Sequence, residues 1–209
     1  ESEVKNYLLN RGINEETIKT FQIGFAPEGW DNLLTFFKKN LDSEAQEIDA
    51  GLFKTSEKNN RVYDVFRNRI IFPIKSHRDQ IIGFGGRVID SSDNPKYLNS
   101  SDSEVFKKGR ELYGLSEILK NKKRADRIIV VEGYTDVLSI FSNDIRYAVA
   151  TLGIATSKVH IDKLFTHVDE IIFCFDGDEA GVKAAESALN TGLSGLRDGK
   201  KIRFMFLPQ

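Results

Sequence analysis

Apolar residues in the first forty positions recur at helical spacing, and after position 60 they give way to short runs that suit strands. Val4, Leu8 and Leu9 define an amphipathic helix within residues 1–12, stopped by Gly12. Asn14 caps a second short helix running to Phe21, and residues 23–27 read as a turn. Leu33, Leu34, Phe36 and Phe37 supply the apolar side of a helix over Asp31–Lys39, and a further helix over Ser43–Ala50 stops at Gly51. From Val62 the texture changes to strand, with residues 69–74 and 80–89 flanking the turn His77-Arg78-Asp79. Residues 90–114 show little regular pattern and are rich in Lys, Arg, Tyr and Asn, the make-up of binding loops held by a scaffold. Leu115–Lys123 predicts a helix with a basic tail, and the chain is divided near Arg124. Beyond it the pattern alternates: strand 127–131, helix 134–142, strand 147–151, helix 157–165, strand 170–175, helix 179–190, strand 201–207. Such alternation predicts an α/β layer with a mainly parallel sheet flanked by helices. The expected organisation is a mixed α+β part over 1–124 and an α/β part over 125–209.

Two of the expected strands end in acid. Arg127–Val131 runs into Glu132-Gly133 with Asp136 close behind, and Ile171–Phe175 runs into Asp176-Gly177-Asp178. Short, continuous apolar runs suit parallel strands covered on both faces, and ligands collect beyond the carboxyl ends of such strands. Carboxylates gathered there repel one another unless a cation joins them. A hard divalent ion, Mg²⁺ or Mn²⁺, takes oxygen ligands and keeps positions for water and substrate phosphates. The expectation is therefore a metal-assisted phosphoryl-transfer site built on Glu132, Asp136, Asp176 and Asp178.

Asp176-x-Asp178 by itself is ambiguous. An EF-hand loop starting at Asp176 wants oxygen ligands where Ala180 and Ser187 stand, although Gly181 fits its turn. Phosphatases of the haloacid dehalogenase kind also end a strand in Asp-x-Asp, but Ala180 replaces their Thr or Val and little chain follows Asp178 for their later motifs. A purely structural alternative has Glu132 and Asp136 capping a helix, where the macrodipole favours anions.

Composition adds the expected other half of the site. The formal net charge is -1, but residues 1–53 hold 5 Lys and Arg against 10 Asp and Glu, residues 54–124 hold 16 against 9, and residues 125–209 hold 9 against 12. A basic middle beside an acidic metal site suits a polyanionic substrate, while a solvated charged face is the plainer reading. No stretch approaches the roughly 18 apolar residues of a membrane span, and the N-terminus is not signal-like, so a cytoplasmic home without membrane contact is expected. The single cysteine, Cys174, excludes an internal disulfide and is expected to be buried and structural. His77, His160 and His167 lack metal-ligand spacing, and Trp30 is expected to anchor the helical core. Gly83, Gly85 and Gly86 fail the dinucleotide fingerprint because Val88 holds the sixth position; a bulge or a close ligand approach is expected instead.

Glu132-Gly133-Tyr134 with Asp136, followed by Asp176-Gly177-Asp178, resembles the Toprim domain shared by primases, topoisomerases and some nucleases. The upstream motifs Gly24-Phe25-Ala26-Pro27, Arg67-x-Arg69-x-x-Phe72-Pro73-Ile74, Gly83-Phe84-Gly85-Gly86-Arg87, Pro95-Lys96-Tyr97-Leu98-Asn99-Ser100 and Phe106-x-Lys108-Gly109-Arg110-x-Leu112-Tyr113-Gly114 resemble the RNA polymerase domain of bacterial DnaG-type primases. The resemblance implies a Toprim-type sheet preceded by a mixed α+β basic subdomain, and DNA-templated synthesis of short RNA primers for replication. It implies Glu132, Asp176 and Asp178 as catalytic and metal-centred acids with Asp136 in support, holding two or more Mg²⁺ or Mn²⁺ ions. Arg11, Arg67, Arg69, Arg87, Lys96, Tyr97, Asn99 and Lys108 then correspond to nucleotide- and DNA-binding positions, with Arg67 and Arg69 expected on one face of a strand. The implied partners are a single-stranded DNA template, ribonucleoside triphosphates, the RNA primer product and nucleotide alarmones as competitors. Family members also carry a third acidic motif after a strand like 201–207, a zinc module and helicase-binding segments, all expected outside these 209 residues. A nuclease or topoisomerase fragment, or an idle single-strand-binding module, stays open as an alternative.

Overall fold

The computed structural model describes residues 2–40, 51–89, 95–120 and 125–208. The helix expected over Ser43–Ala50 and the division expected at Arg124 lie outside these. The chain forms two compact units, residues 1–74 with 81–106 and residues 75–80 with 107–209.

In the first unit, helix α1 (Ser2–Asn10) gives way at Gly12, whose φ of 73° suits glycine, to α2 (Glu15–Thr20). Asn14 caps α2 by accepting the Thr17 N–H at 2.9 Å. Strands β1 (Gly24–Ala26), β4 (Arg69–Lys75), β5 (Ile81–Val88) and β6 (Tyr97–Asn99) lie side by side in the order β1-β4-β5-β6. Two of these correct the sequence expectation. Gly24–Ala26, expected as a turn, pairs antiparallel with Arg69–Ile71, and Tyr97–Asn99, in the stretch without pattern, pairs antiparallel with Gly85–Arg87. Each is three residues long and owes its conformation to the partner strand, not to its own composition. Helix α3 (Asn32–Asn40) is capped from afar, because the buried Asp64 carboxylate accepts the Leu33 and Leu34 N–H groups at 2.7 and 3.1 Å. Asp64 ends β3 (Val62–Asp64), which pairs with β2 (Phe53–Thr55).

The glycines of β5 face side chains. A Cβ on Gly86 would stand 2.7 Å from the Phe66 ring, and one on Gly83 would stand 3.2 Å from the Phe106 ring. The close approach expected there is made by packed aromatics of the same unit. Trp30 also departs from expectation: it is 63% exposed, with Arg67 over its indole, and does not anchor the core.

The second unit is the α/β layer. Helix α4 (Leu115–Lys120) precedes β7 (Arg127–Val131), α5 (Tyr134–Ser142), β8 (Ala148–Ala150), α6 (Lys158–Phe165), β9 (Glu170–Asp176), α7 (Glu179–Gly195) and β10 (Lys201–Leu207). The four strands are parallel in the order β10-β9-β7-β8. Ile128, Val130, Val149, Ile171 and Phe173 make its core with Ile161 and Leu164 of α6. From β7 the chain moves to β8 on one side and then crosses to β9 on the other. The order therefore reverses between β7 and β9, the topological switch point at which open α/β sheets bind ligands. Among the described residues no helix is long and apolar enough to cross a membrane.

Candidate active site

The acids stand at that switch point. Glu132 follows the last residue of β7 and Asp176 is the last residue of β9, while Asp136 and Asp178 occupy the first turn of α5 and the N-cap of α7. All four residues are exposed. Backbone N–H groups orient three of them: Asp136 Oδ2 accepts from Gly133 at 2.9 Å, Asp178 Oδ1 accepts from Gly181 at 2.7 Å, and the Glu132 carboxylate accepts from Asp176. The turn after β9 is tight enough to require glycine, since a Cβ on Gly181 would lie 2.0 Å from the Asp176 carbonyl oxygen. The capping alternative is thus realised for Asp136 but not for Glu132, and Asp178, which it did not include, caps α7 in the same way.

Electrostatics ties the four together. Partial desolvation and then the carboxylates of Asp176 and Asp136 hold Glu132 above the ordinary carboxylate range, with a smaller push from Asp178, against the lowering effect of the Asp176 N–H. Buried Cys174 on β9 is pushed up by burial first and then by Asp176, Asp136 and Glu132, which makes it the inert structural residue expected. Among the described residues, no three His, Cys, Asp or Glu side chains stand at the spacing of a ready-made metal cage.

The basic residues fall into four settings. In the first unit, the Arg87 guanidinium donates to Tyr97 Oη at 2.8 Å and lies 5.4 Å from the Tyr7 ring centroid, while Arg11 lies 5.0 Å from the same ring. Arg87 is 5% exposed, and its Nε and the Tyr7 hydroxyl are buried without a hydrogen-bond partner among the described residues. Tyr7 was not singled out by sequence, although its i, i+4 spacing from Arg11, one residue past the end of α1, is a readable signal. Arg69, 6% exposed, donates to the Pro95 carbonyl at 2.8 Å, beside the exposed Lys96 and the half-buried Asn99.

Arg67 does not share the surroundings of Arg69, which corrects the expectation of a common strand face. Asn68 between them is left-handed, with φ of 47°, and β4 begins only at Arg69. Arg67 instead stacks 4.1 Å from the Trp30 ring centroid and donates to the Asp64 carbonyl. Lys108 belongs to the second unit, in a turn that α6 holds through Ser157 and His160.

A family model described as the DNA primase catalytic core, N-terminal domain, matches residues 1–119. The chain belongs to the DNA primase catalytic-core family. A Toprim-domain model matches residues 126–205, which span β7 to β10 and all four acids. The family's N-terminal part carries every basic candidate from Arg11 to Lys108. A DNA primase of Pseudomonas aeruginosa is 52% identical over 205 residues, covering 98% of this chain and 31% of that relative, so the chain spans about a third of its length. The solved Escherichia coli primase catalytic core is 47% identical with a TM-score of 0.91, covering 100% of this chain and 66% of that one. A DnaG primase catalytic domain solved bound to single-stranded DNA is 47% identical with a TM-score of 0.89, covering 99% of this chain and 66% of that one. The family and the fold implied by the motifs are therefore borne out.

Proposed function

We propose that the chain is the core of a DNA-templated RNA polymerase that makes short RNA primers on single-stranded DNA by divalent-metal-assisted nucleotidyl transfer. One observation carries this reading: carboxylates from two adjacent parallel strand ends meet at the switch point of the sheet, in a chain of the primase family.

The donor set fits a hard cation. It is all oxygen and exposed, backbone N–H groups fix three of its four carboxylates, and partial desolvation and then the neighbouring carboxylates raise Glu132, a repulsion that a bound cation relieves. Mg²⁺ needs only one or two carboxylates and fills its other positions with water and substrate phosphates, so a complete protein cage is not required. Glu132, Asp176 and Asp178 would hold the ions, with Asp136 in support. When bound, divalent ions neutralise charge on the transferring phosphoryl group and leaving pyrophosphate and lower the pKa of the attacking 3′-hydroxyl.

The chain's own residues position the polyanions. Arg11, Lys96 and Lys108 contact phosphates without reading bases, as sequence-independent template and triphosphate binding needs. Arg87 and Tyr97 act as one hydrogen-bonded unit beside Tyr7. Arg69, engaged with the Pro95 carbonyl, supports the backbone that carries Lys96 and Asn99. The single-stranded DNA held by the solved relative is the template class proposed here, with ribonucleoside triphosphates as substrates and the cytoplasmic replication fork as the place of work.

The test supplies single-stranded DNA, labelled ribonucleotides and Mg²⁺ or Mn²⁺ to the chain carried through to the length of its relatives. Primers form with the native sequence and not with Glu132→Gln or Asp178→Asn. Equal product from the variants removes the acids from the chemistry, and DNA cleavage without primer favours a nuclease.

A further inference from the structure

His160 is wholly buried, with 0% exposure, and faces the turn that carries Lys108. Its Nδ1 accepts the Ser157 N–H at 3.2 Å, so Nδ1 carries no proton and the neutral ring holds its proton on Nε2. That Nε2–H donates to the Lys108 carbonyl at 3.3 Å. Burial acts first on the ring to keep it neutral, with Lys163 acting the same way, against the Lys108 and Glu111 carbonyls.

The neighbouring contacts come from the same face of α6 and its N-cap. Ser157 Oγ donates to the Gly109 carbonyl at 2.8 Å and accepts the His160 N–H at 3.1 Å. Lys163 Nζ pairs with Glu111 Oε2 at 3.0 Å, both partly buried. Three consecutive polar residues of one helix face, Ser157, His160 and Lys163, therefore hold residues 108 to 111 at their backbone and at one side chain. Inside the turn, the Arg110 and Glu111 N–H groups both donate to the Lys107 carbonyl, at 2.9 and 3.2 Å. The turn fixes its own shape, and α6 fixes where the turn sits.

We infer that His160 is a positioning residue for Lys108: its Nε2–H on the Lys108 carbonyl, with Ser157 on Gly109, sets the origin from which the lysine reaches a substrate phosphate. This rests on the proposed role of Lys108 as a phosphate contact. A buried histidine that only filled space would be replaceable by an apolar residue of similar volume. One that positions Lys108 is replaceable only by a side chain that keeps the donor.

The 209-residue chain is titrated with a labelled single-stranded oligonucleotide across a salt series, in native form and as Lys108→Ala, His160→Leu, His160→Gln, Ser157→Ala and the double variant Lys108→Ala/His160→Leu. Lys108→Ala weakens binding and lowers the salt slope by about one unit. His160→Leu matches that loss and slope within about twofold, and the double variant is no weaker than Lys108→Ala alone, since residues acting as a unit are non-additive. His160→Gln, whose amide N–H can reach the Lys108 carbonyl, restores most of the binding. If His160→Leu does not fold, Ser157→Ala and His160→Gln carry the comparison: Ser157→Ala, which frees the Gly109 carbonyl, lowers the slope, and His160→Gln, which keeps the donor, holds it near the native value.

A Lys108→Ala effect with native binding in His160→Leu, or losses that add in the double variant, overturns the positioning role alone. No effect of Lys108→Ala overturns the phosphate-contact reading and the inference with it.

Discussion

Gly181 passes so close to Asp176 that a Cβ at position 181 would stand 2.0 Å from the Asp176 carbonyl oxygen. Gly181 also donates its N–H to Asp178, so one glycine shapes the turn between two of the site acids. Gly181→Ala is expected to cost about 1–3 kcal/mol through forced backbone displacement, read by urea denaturation. It should also weaken Mn²⁺ binding, because the displaced carbonyl belongs to a proposed ligand residue.

Lys75 and Glu117 form a buried ion pair at 3.1 Å, with side chains 6% and 5% exposed. Asp79 lies 3.5 Å from Lys75 on the outer side. Removing Lys75 leaves the buried Glu117 carboxylate only the half-exposed Lys120 at 3.9 Å, so Lys75→Met should cost about 3 kcal/mol, and Lys75→Met/Glu117→Leu should recover most of that loss. Equal losses from the single and double variants in denaturant titrations would contradict this.

Histidine 160 gives the stability a specific pH dependence. Its folded pKa is depressed below 6.5, so the unfolded chain binds the proton more tightly. Its contribution is fully present above about pH 6.5 and is lost as the pH falls from there through the folded value. His160→Gln should remove that component. The check is the slope of unfolding free energy against pH below 6.5, which should be steeper in the native chain than in the variant.

The Arg67–Trp30 stack lies at the surface, and its energetic role should be small. At an exposed site such a contact is worth about 0.5–1 kcal/mol, the expected coupling in a double-mutant cycle of Arg67→Ala and Trp30→Ala. As Trp30 is the single tryptophan, Arg67→Ala should also change its emission directly.

What was readable in the sequence follows from where each signal is stored. The ends of β7 and β9 were legible because buried parallel strands are written as continuous apolar runs, and an acid at the end of each stands out. The strand Gly24–Ala26 was not, since its conformation comes from pairing with Arg69–Ile71. The shared face expected for Arg67 and Arg69 failed at one backbone angle, the left-handed Asn68, which composition does not announce. Asp64 caps α3 across a separation of some thirty residues, and His160 meets the Lys108 turn across fifty-two. Both are contacts that a lone Asp or His in a sequence cannot reveal. Trp30 looked like core because it is large and apolar; the Arg67 guanidinium that makes its surface position tolerable belongs to a distant stretch.

The most direct test of the metal-centred acids is a Mn²⁺ titration of the 209-residue chain, followed by the loss of the free-ion electron paramagnetic resonance signal. The native chain binds Mn²⁺, and Glu132→Gln and Asp176→Asn each weaken it by about tenfold or more while keeping the native circular dichroism spectrum. Equal Mn²⁺ affinity in the native chain and both variants would contradict the metal site.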